Sequence, residues 1–206
     1  MSMPDYSFER DLRKKGFVRI AGVDEVGRGP LAGPVTAAAV ILKPRSIPKG
    51  LNDSKKLSMK ARVRLAEMIH NKAEVAIAHA SVDEIEHLNI LRASHLAMAR
   101  AVAALQPQPD FLLIDGKILP RDLALPALAV VRGDARSASI AAASIVAKIC
   151  RDNVMVDLAQ QHPGYGWETN MGYPSKSHRL ALENLGVTPH HRRSFKPVHK
   201  MLYQDK

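Results

Sequence analysis

F-V-R-I-A-G-V-D-E-V-G-R-G-P-L-A-G-P-V-T-A-A-A-V-I-L, residues Phe17 to Leu42, is the stretch whose reading decides the fold. Apolar β-formers lead to two adjacent carboxylates, Asp24 and Glu25; Gly27-Arg28-Gly29-Pro30 follows, and a second apolar run returns from Val35 to Leu42. The pattern predicts strand, glycine turn, strand. Carboxylates at the end of a core strand need a partner or a metal to offset their desolvation. Neighbouring side chains on a regular strand point to opposite faces, so both acids aim at one ion only where the strand ends or bulges, a distortion the following glycines permit. The alternative is a solvated strand end. Gly22 and Gly27 have the spacing that opens a Walker loop, but Arg28-Gly29 stands where Lys-Ser/Thr is required. The dinucleotide fingerprint G-x-G-x-x-G is absent here as well.

The chain has 206 residues, enough for one substantial core, and 46% of them are apolar. No apolar run approaches a membrane span, and the polar N-terminus has no apolar signal core, so a soluble cytoplasmic protein is expected. The single Cys150 excludes an intramolecular disulfide and disfavours a thiolate metal site. With no H-E-x-x-H present either, a bound metal is expected among oxygen ligands, which points to magnesium or manganese. Thirty Lys and Arg against twenty Asp and Glu give a formal charge of +10, suited to a polyanionic partner, nucleic acid before membrane.

Further along, Ser58 can cap a helix whose Leu65, Met68 and Ile69 share one face; Lys55 and Lys56 ahead of it read either as phosphate contacts or as an exposed basic loop. Glu74 to Ala80 reads as a strand, Ser81 to Glu84 as a capping box, and about Asn89 to Leu105 as a longer helix stopped by Gln106-Pro107. Asp110 to Gly116 reads as a central strand buried on both faces that ends at Asp115, and Ala127 to Val131 as a short strand followed by Asp134. In the alanine-rich helix beyond, Ser144 and Lys148 share a face and are candidates for phosphate contact. From His162 the composition shifts to turn residues and aromatics among seven Lys and Arg against three Asp and Glu. Trp167 and the tract His190 to Lys196 there suit sugar or base stacking beside backbone neutralisation, although Trp167 can equally be core.

Taken together, A-G-V-D-E-V-G-R-G-P-L-A-G-P-V (21–35), L-N-D-S-K-K-L-S (51–58), L-N-I-L (88–91), L-I-D-G (113–116), G-D-A-R (133–136), A-A-S-I-V-A-K (142–148), G-Y-P-S (172–175) and H-H-R-R-S-F (190–195) resemble the type 2 ribonucleases H, the bacterial ribonuclease HII family. The resemblance implies an α/β, RNase H-like fold: a mixed five-stranded sheet flanked by helices, with a helical C-terminal segment over the substrate. It implies an N-terminal extension (1–16), a catalytic domain (17–161) and a C-terminal substrate-binding segment (162–206). Asp24, Glu25, Asp115 and Asp134 match the family's metal-site acids, holding two Mn2+ or Mg2+ ions. Gly27, Arg28 and Gly29 match the segment that recognises a ribonucleotide 2′-hydroxyl, and Tyr173 the tyrosine that packs on the neighbouring deoxyribose. Lys55, Ser144 and Lys148 are candidates for orienting phosphates. The implied substrates are RNA–DNA hybrids and duplex DNA carrying ribonucleotides. A monomer is expected, and the sequence assigns no contact with a replication clamp. One departure from the family pattern is Ser137-Ala138-Ser139 after G-D-A-R, where bulkier residues and often a Glu are expected.

Overall fold

A computed structural model describes residues 3–121 and 123–203; the ends of the two terminal segments lie outside this range. Five strands, β1 (Ile20–Val26), β2 (Val35–Leu42), β3 (Ala73–Ala80), β4 (Phe111–Asp115) and β5 (Ala127–Val130), form one mixed sheet in the order β3-β2-β1-β4-β5. β1, β2 and β3 pair antiparallel, while β4 runs parallel to β1 and β5 parallel to β4. The helices are α1 (Ser7–Lys14), α2 (Met59–Lys72), α3 (Val82–Ala103), α4 (Ala138–Gln161), α5 (Trp167–Asn170), α6 (Lys176–Leu185) and α7 (Lys196–Tyr203).

The alternation of side chains along a strand divides the core into two layers. Val35, Ala37, Ala39 and Ile41 of β2 join Ala21 and Val23 of β1 under Ala93, Ala97 and Ala101 of α3. Ala38, Val40 and Leu42 face the other way, onto Leu65 and Ile69 of α2 and Ala141, Ala142 and Ile145 of α4. Small residues let α4 lie close to the sheet. At Gly22 of β1 an added Cβ would fall on the backbone of Ser139 and Ile140, so only glycine admits the start of α4 here.

The expected caps are present. Ser58 Oγ accepts from Ala61 N at the head of α2, and Ser81 and Glu84 form a full capping box on α3. The longer helix expected from about Asn89 is the second part of α3, which kinks where Asn89 has φ 66° and ψ 163°. Its side-chain Oδ1 accepts from Leu91 N and Arg92 N, restarting the helix much as an N-cap does.

Two segments outside the central run are knitted into the core. Beyond α4, Tyr165, Trp167, Leu182 and Val198 pack with Leu31 and Ala32 of the glycine turn and with Met155 and Ala159 of α4. At the N-terminus, Asp5 bridges to Ser137, and α1 delivers Glu9, fully buried, to the start of α4. Glu9 Oε1 accepts from Ser137 Oγ at 2.7 Å and from Ser139 N at 2.9 Å, so a carboxylate reaches this helix N-terminus although residues 137–139 are small. Glu9→Ala leaves these donors buried and unpaired, and should lower the unfolding free energy by about 2 kcal/mol in a denaturant titration. Glu9→Gln, which keeps an acceptor oxygen, should lose less.

Candidate active site

The parallel pairing of β1 and β4 stops at Val23↔Ile114, and the next rung would set Asp24 opposite Asp115. On its other edge β1 continues in regular register with β2 as far as Val26↔Thr36. Of the two possibilities, a strand end or a bulge, β1 shows no bulge; its pairing with β4 ends where the carboxylates stand, and the sheet opens between them. Asp24 shares the face of Gly22, and so lies toward the start of α4. Asp134 is carried there by a 3-10 turn, Gly133–Ala135, rather than by a strand end: β5 has finished at Val130.

Three of the four carboxylates are partly anchored. Asp24, 6% exposed, accepts from Glu25 N at 2.8 Å through Oδ1. Glu25 Oε1 accepts from Arg28 Nη1 at 3.0 Å, while its Oε2 is buried without a partner. Asp115 Oδ1 accepts from Gly133 N at 2.6 Å, tying β4 to the turn that holds Asp134. Burial, then repulsion from Glu25, Asp115 and Asp134, raises the Asp24 carboxyl well above its ordinary value. Burial also raises Asp115, against hydrogen bonds from the Gly133 and Asp134 backbone, and raises Asp134, with Asp115 and Asp53 adding to the effect.

As they stand, no three His, Cys, Asp or Glu side chains among the described residues converge closely enough to cage an ion. Like charges in a desolvated site hold one another apart. The all-oxygen donor set and the orphaned Glu25 Oε2 fit hard divalent cations such as Mg2+ or Mn2+, which would relieve both the repulsion and the unpaired oxygen.

Around the acids the structure gathers some of the expected substrate residues. A Cβ at Gly29 would stand 3.4 Å from Tyr173 Cε1, and Leu31 N donates to Gly172 O at 2.7 Å, so Gly27, Arg28 and Gly29 lie beside a half-exposed Tyr173. Burial depresses the Lys55 ammonium, but Asp24, Asp53 and Asp134 outweigh it and raise its pKa, which places this cation in the field of the acids.

The structure places the remaining candidates as follows. Ser144 is 4% exposed; its hydroxyl donates to Ala141 O and accepts from Ser54 N, so it steadies the Lys55 loop instead of presenting itself to phosphate. Lys148 is ion-paired to Asp152 at 2.6 Å. Trp167 is core, fully buried, stacked on Tyr165 and donating through Nε1 to His178. The His190–Lys196 tract does not form a stacking surface throughout, because His191 and Arg192 are buried. Cys150 is half-buried and burial pushes its thiol up, away from nucleophilic character. Two residues that sequence reasoning missed, Arg151 and Arg192, hold the glycine turn from beneath. A lone arginine in a helix and one of several in a basic tract carry no signal that they are buried.

The family model for ribonuclease HII matches residues 21–198, across all four acids, the glycine turn and Tyr173. The chain belongs to the ribonuclease HII family. It is 70% identical over 205 residues to ribonuclease HII of Ruegeria pomeroyi, covering 100% of this chain and 88% of that one. Among solved structures it resembles ribonuclease H2 of Pyrococcus horikoshii OT3, with a TM-score of 0.75 and 24% identity over 92% of this chain and 100% of that one. It also resembles Bst-RNase HIII in complex with Mn2+, with a TM-score of 0.74 and 21% identity over 92% of this chain and 70% of that one. Both likenesses show the RNase H-like fold. As a member of its family the protein is a metal-dependent ribonuclease H, an endonuclease.

Because Asp24, Asp115 and Asp134 titrate higher in the folded state, their contribution to stability is full below the unfolded carboxylate pKa of about 3.9 and is lost as pH rises through the raised folded values. At neutral pH in chelator, Asp24→Asn should therefore melt above the wild type. Mn2+ at a hundred times its Kd should reverse that order, since such saturation adds about 2.7 kcal/mol to the protein that binds it. Scanning calorimetry of both proteins with and without Mn2+ checks the crossing.

Proposed function

We propose that this ribonuclease H hydrolyses the RNA strand of RNA–DNA hybrids and also cuts on the 5′ side of ribonucleotides embedded in duplex DNA. It acts with two divalent ions and leaves 3′-hydroxyl and 5′-phosphate ends. The observation that carries the reading is the meeting of the glycine turn with Tyr173 next to the carboxylates. A 2′-hydroxyl is both donor and acceptor and is what separates RNA from DNA at one position. Backbone at Gly29 can approach a sugar closely because no side chain stands between them.

Asp24, Glu25, Asp115 and Asp134 would hold the ions, Mn2+ or Mg2+, which supply a lowered pKa to the attacking water and charge stabilisation to the leaving 3′-oxygen. The chain's own residues do the rest. Asp24 and Asp115 stand on the two strands flanking the opening, so the sheet itself sets their separation. Lys55, already drawn toward the acids, offers a cation to a neighbouring phosphate. Arg28 restrains Glu25 through Oε1 and leaves Oε2 for the site. The aromatic face of Tyr173 packs on the deoxyribose next to the ribonucleotide. Residues 162–203 add basic surface for the duplex. No described helix is long and apolar enough to cross a membrane, and we place the enzyme in the cytoplasm as a monomer.

A labelled DNA duplex containing one ribonucleotide should be cut on its 5′ side with Mn2+ or Mg2+, left whole in chelator, and left whole by Asp24→Asn; an all-DNA duplex should stay intact. Gly29→Ala should fold, since its Cβ makes only ordinary contact with Tyr173, but should lose cleavage while still binding all-DNA duplex. Gly27→Ala should instead destabilise the protein, because Gly27 has φ 93° and its Cβ would fall on Arg151. Equal cleavage by Gly29→Ala and wild type would remove the turn from sugar recognition.

A further inference from the structure

Arg151 in α4 and Arg192 ahead of α7 are both wholly buried, and neither forms an ion pair among the described residues. Asp152, the acid next to Arg151 in sequence, is taken by Lys148. Burial pulls the guanidinium of Arg151 down to about 10 and that of Arg192, with Arg151 nearby, down to about 9, so both stay charged at neutral pH. An unpaired buried cation is costly unless its donors are satisfied. Here they are satisfied almost entirely by one turn.

Arg192 donates to Gly27 O at 2.6 Å, to Arg28 O at 3.0 Å and to Gly33 O at 3.0 and 2.8 Å. Arg151 donates to Pro34 O at 3.2 Å, to Ala32 O at 3.0 Å and to Met171 O at 2.8 Å. Five carbonyls between Gly27 and Pro34 are thus drawn toward the interior. In a trans peptide the C=O of one residue and the N–H of the next point in opposite directions. Holding the Gly27 and Arg28 carbonyls inward therefore turns the Arg28 and Gly29 N–H groups outward, and neither has an acceptor among the described residues. On the side where a Gly29 Cβ would stand lies Tyr173, 3.4 Å away. The Met171 carbonyl held by Arg151 is two residues before Tyr173, so one guanidinium ties the turn and the tyrosine together.

We propose that Arg151 and Arg192 are positioning residues for sugar recognition: by holding the turn's carbonyls inward they aim the Arg28 and Gly29 N–H groups at the 2′-hydroxyl, and Arg151 sets their spacing from Tyr173. The inference rests on the function proposed above and assigns its specificity to two side chains that never touch substrate. A planar fork is needed to span several carbonyls at once, and a lysine ammonium of the same charge cannot do it.

The test compares Arg192→Lys and Arg151→Lys with wild type in three readouts: kcat/KM on a duplex with one ribonucleotide, affinity for the same duplex in all-DNA form, and amide hydrogen exchange. Each variant should lose on the order of a hundredfold in kcat/KM, the scale of a misplacement of about 1 Å. All-DNA affinity should stay within about twofold, and faster exchange should be confined to residues 27–34 and 171–173. The double variant should lose less than the product of the single losses, because both act on one turn. Wild-type kcat/KM with unchanged exchange overturns the proposal. So does loss of all-DNA affinity with faster exchange across the sheet, which marks general destabilisation. If the wild type does not cut the ribonucleotide duplex, the functional reading fails, and exchange over 27–34 still decides whether the arginines hold the turn.

Discussion

Asp24 and Asp115 stand one rung beyond the last hydrogen-bonded pair of two parallel strands, in a place where burial and like charge both oppose ionisation. Much of the surrounding structure follows from keeping that pair there. Gly22 lets the start of α4 press onto β1, which brings the Asp134 turn alongside; Gly133 N then grips Asp115 from that turn. Arg28 restrains Glu25, and Lys55 leans in from its own loop. Gly133 and Arg28 each engage one oxygen of a carboxylate and leave the other for a cation. Carboxylates held in a place where burial and like charge both oppose ionisation, and relieved by a bound cation, suit metal-dependent chemistry.

The formal charge of +10 is distributed unevenly with respect to function. Most basic side chains face solvent, where they can meet phosphate. Two of the three largest fully buried side chains, however, are arginines facing backbone carbonyls. Their positive charge stiffens the turn at the site instead of meeting a polyanion. Net charge therefore argues for a nucleic-acid partner without showing which cations touch it.

The strands and the acids were legible because they rest on local patterns: alternation or apolar runs for β1, β2 and β4, and carboxylates where those runs end. Caps at Ser58 and Ser81 were equally local. Pairing was not. The sequence left open whether the strand ends or bulges at Asp24-Glu25; the acids stand where β1 and β4 part company, a property of two strands far apart in the chain. Ser144 and Lys148 shared a helical face as expected, but the loop of Ser54 covers one and Asp152 neutralises the other. The same limit hid Glu9 and Arg192: a charged residue satisfied by distant backbone looks, in sequence, like any surface charge.

The most direct measurement of the central claim is anomalous diffraction from crystals soaked in Mn2+. The account predicts manganese density among Asp24, Glu25, Asp115 and Asp134, with the Glu25 Oε2 drawn into contact, and its loss in Asp24→Asn. Manganese bound elsewhere with these carboxylates unmoved, or an Asp24→Asn crystal that keeps the same density, would contradict it.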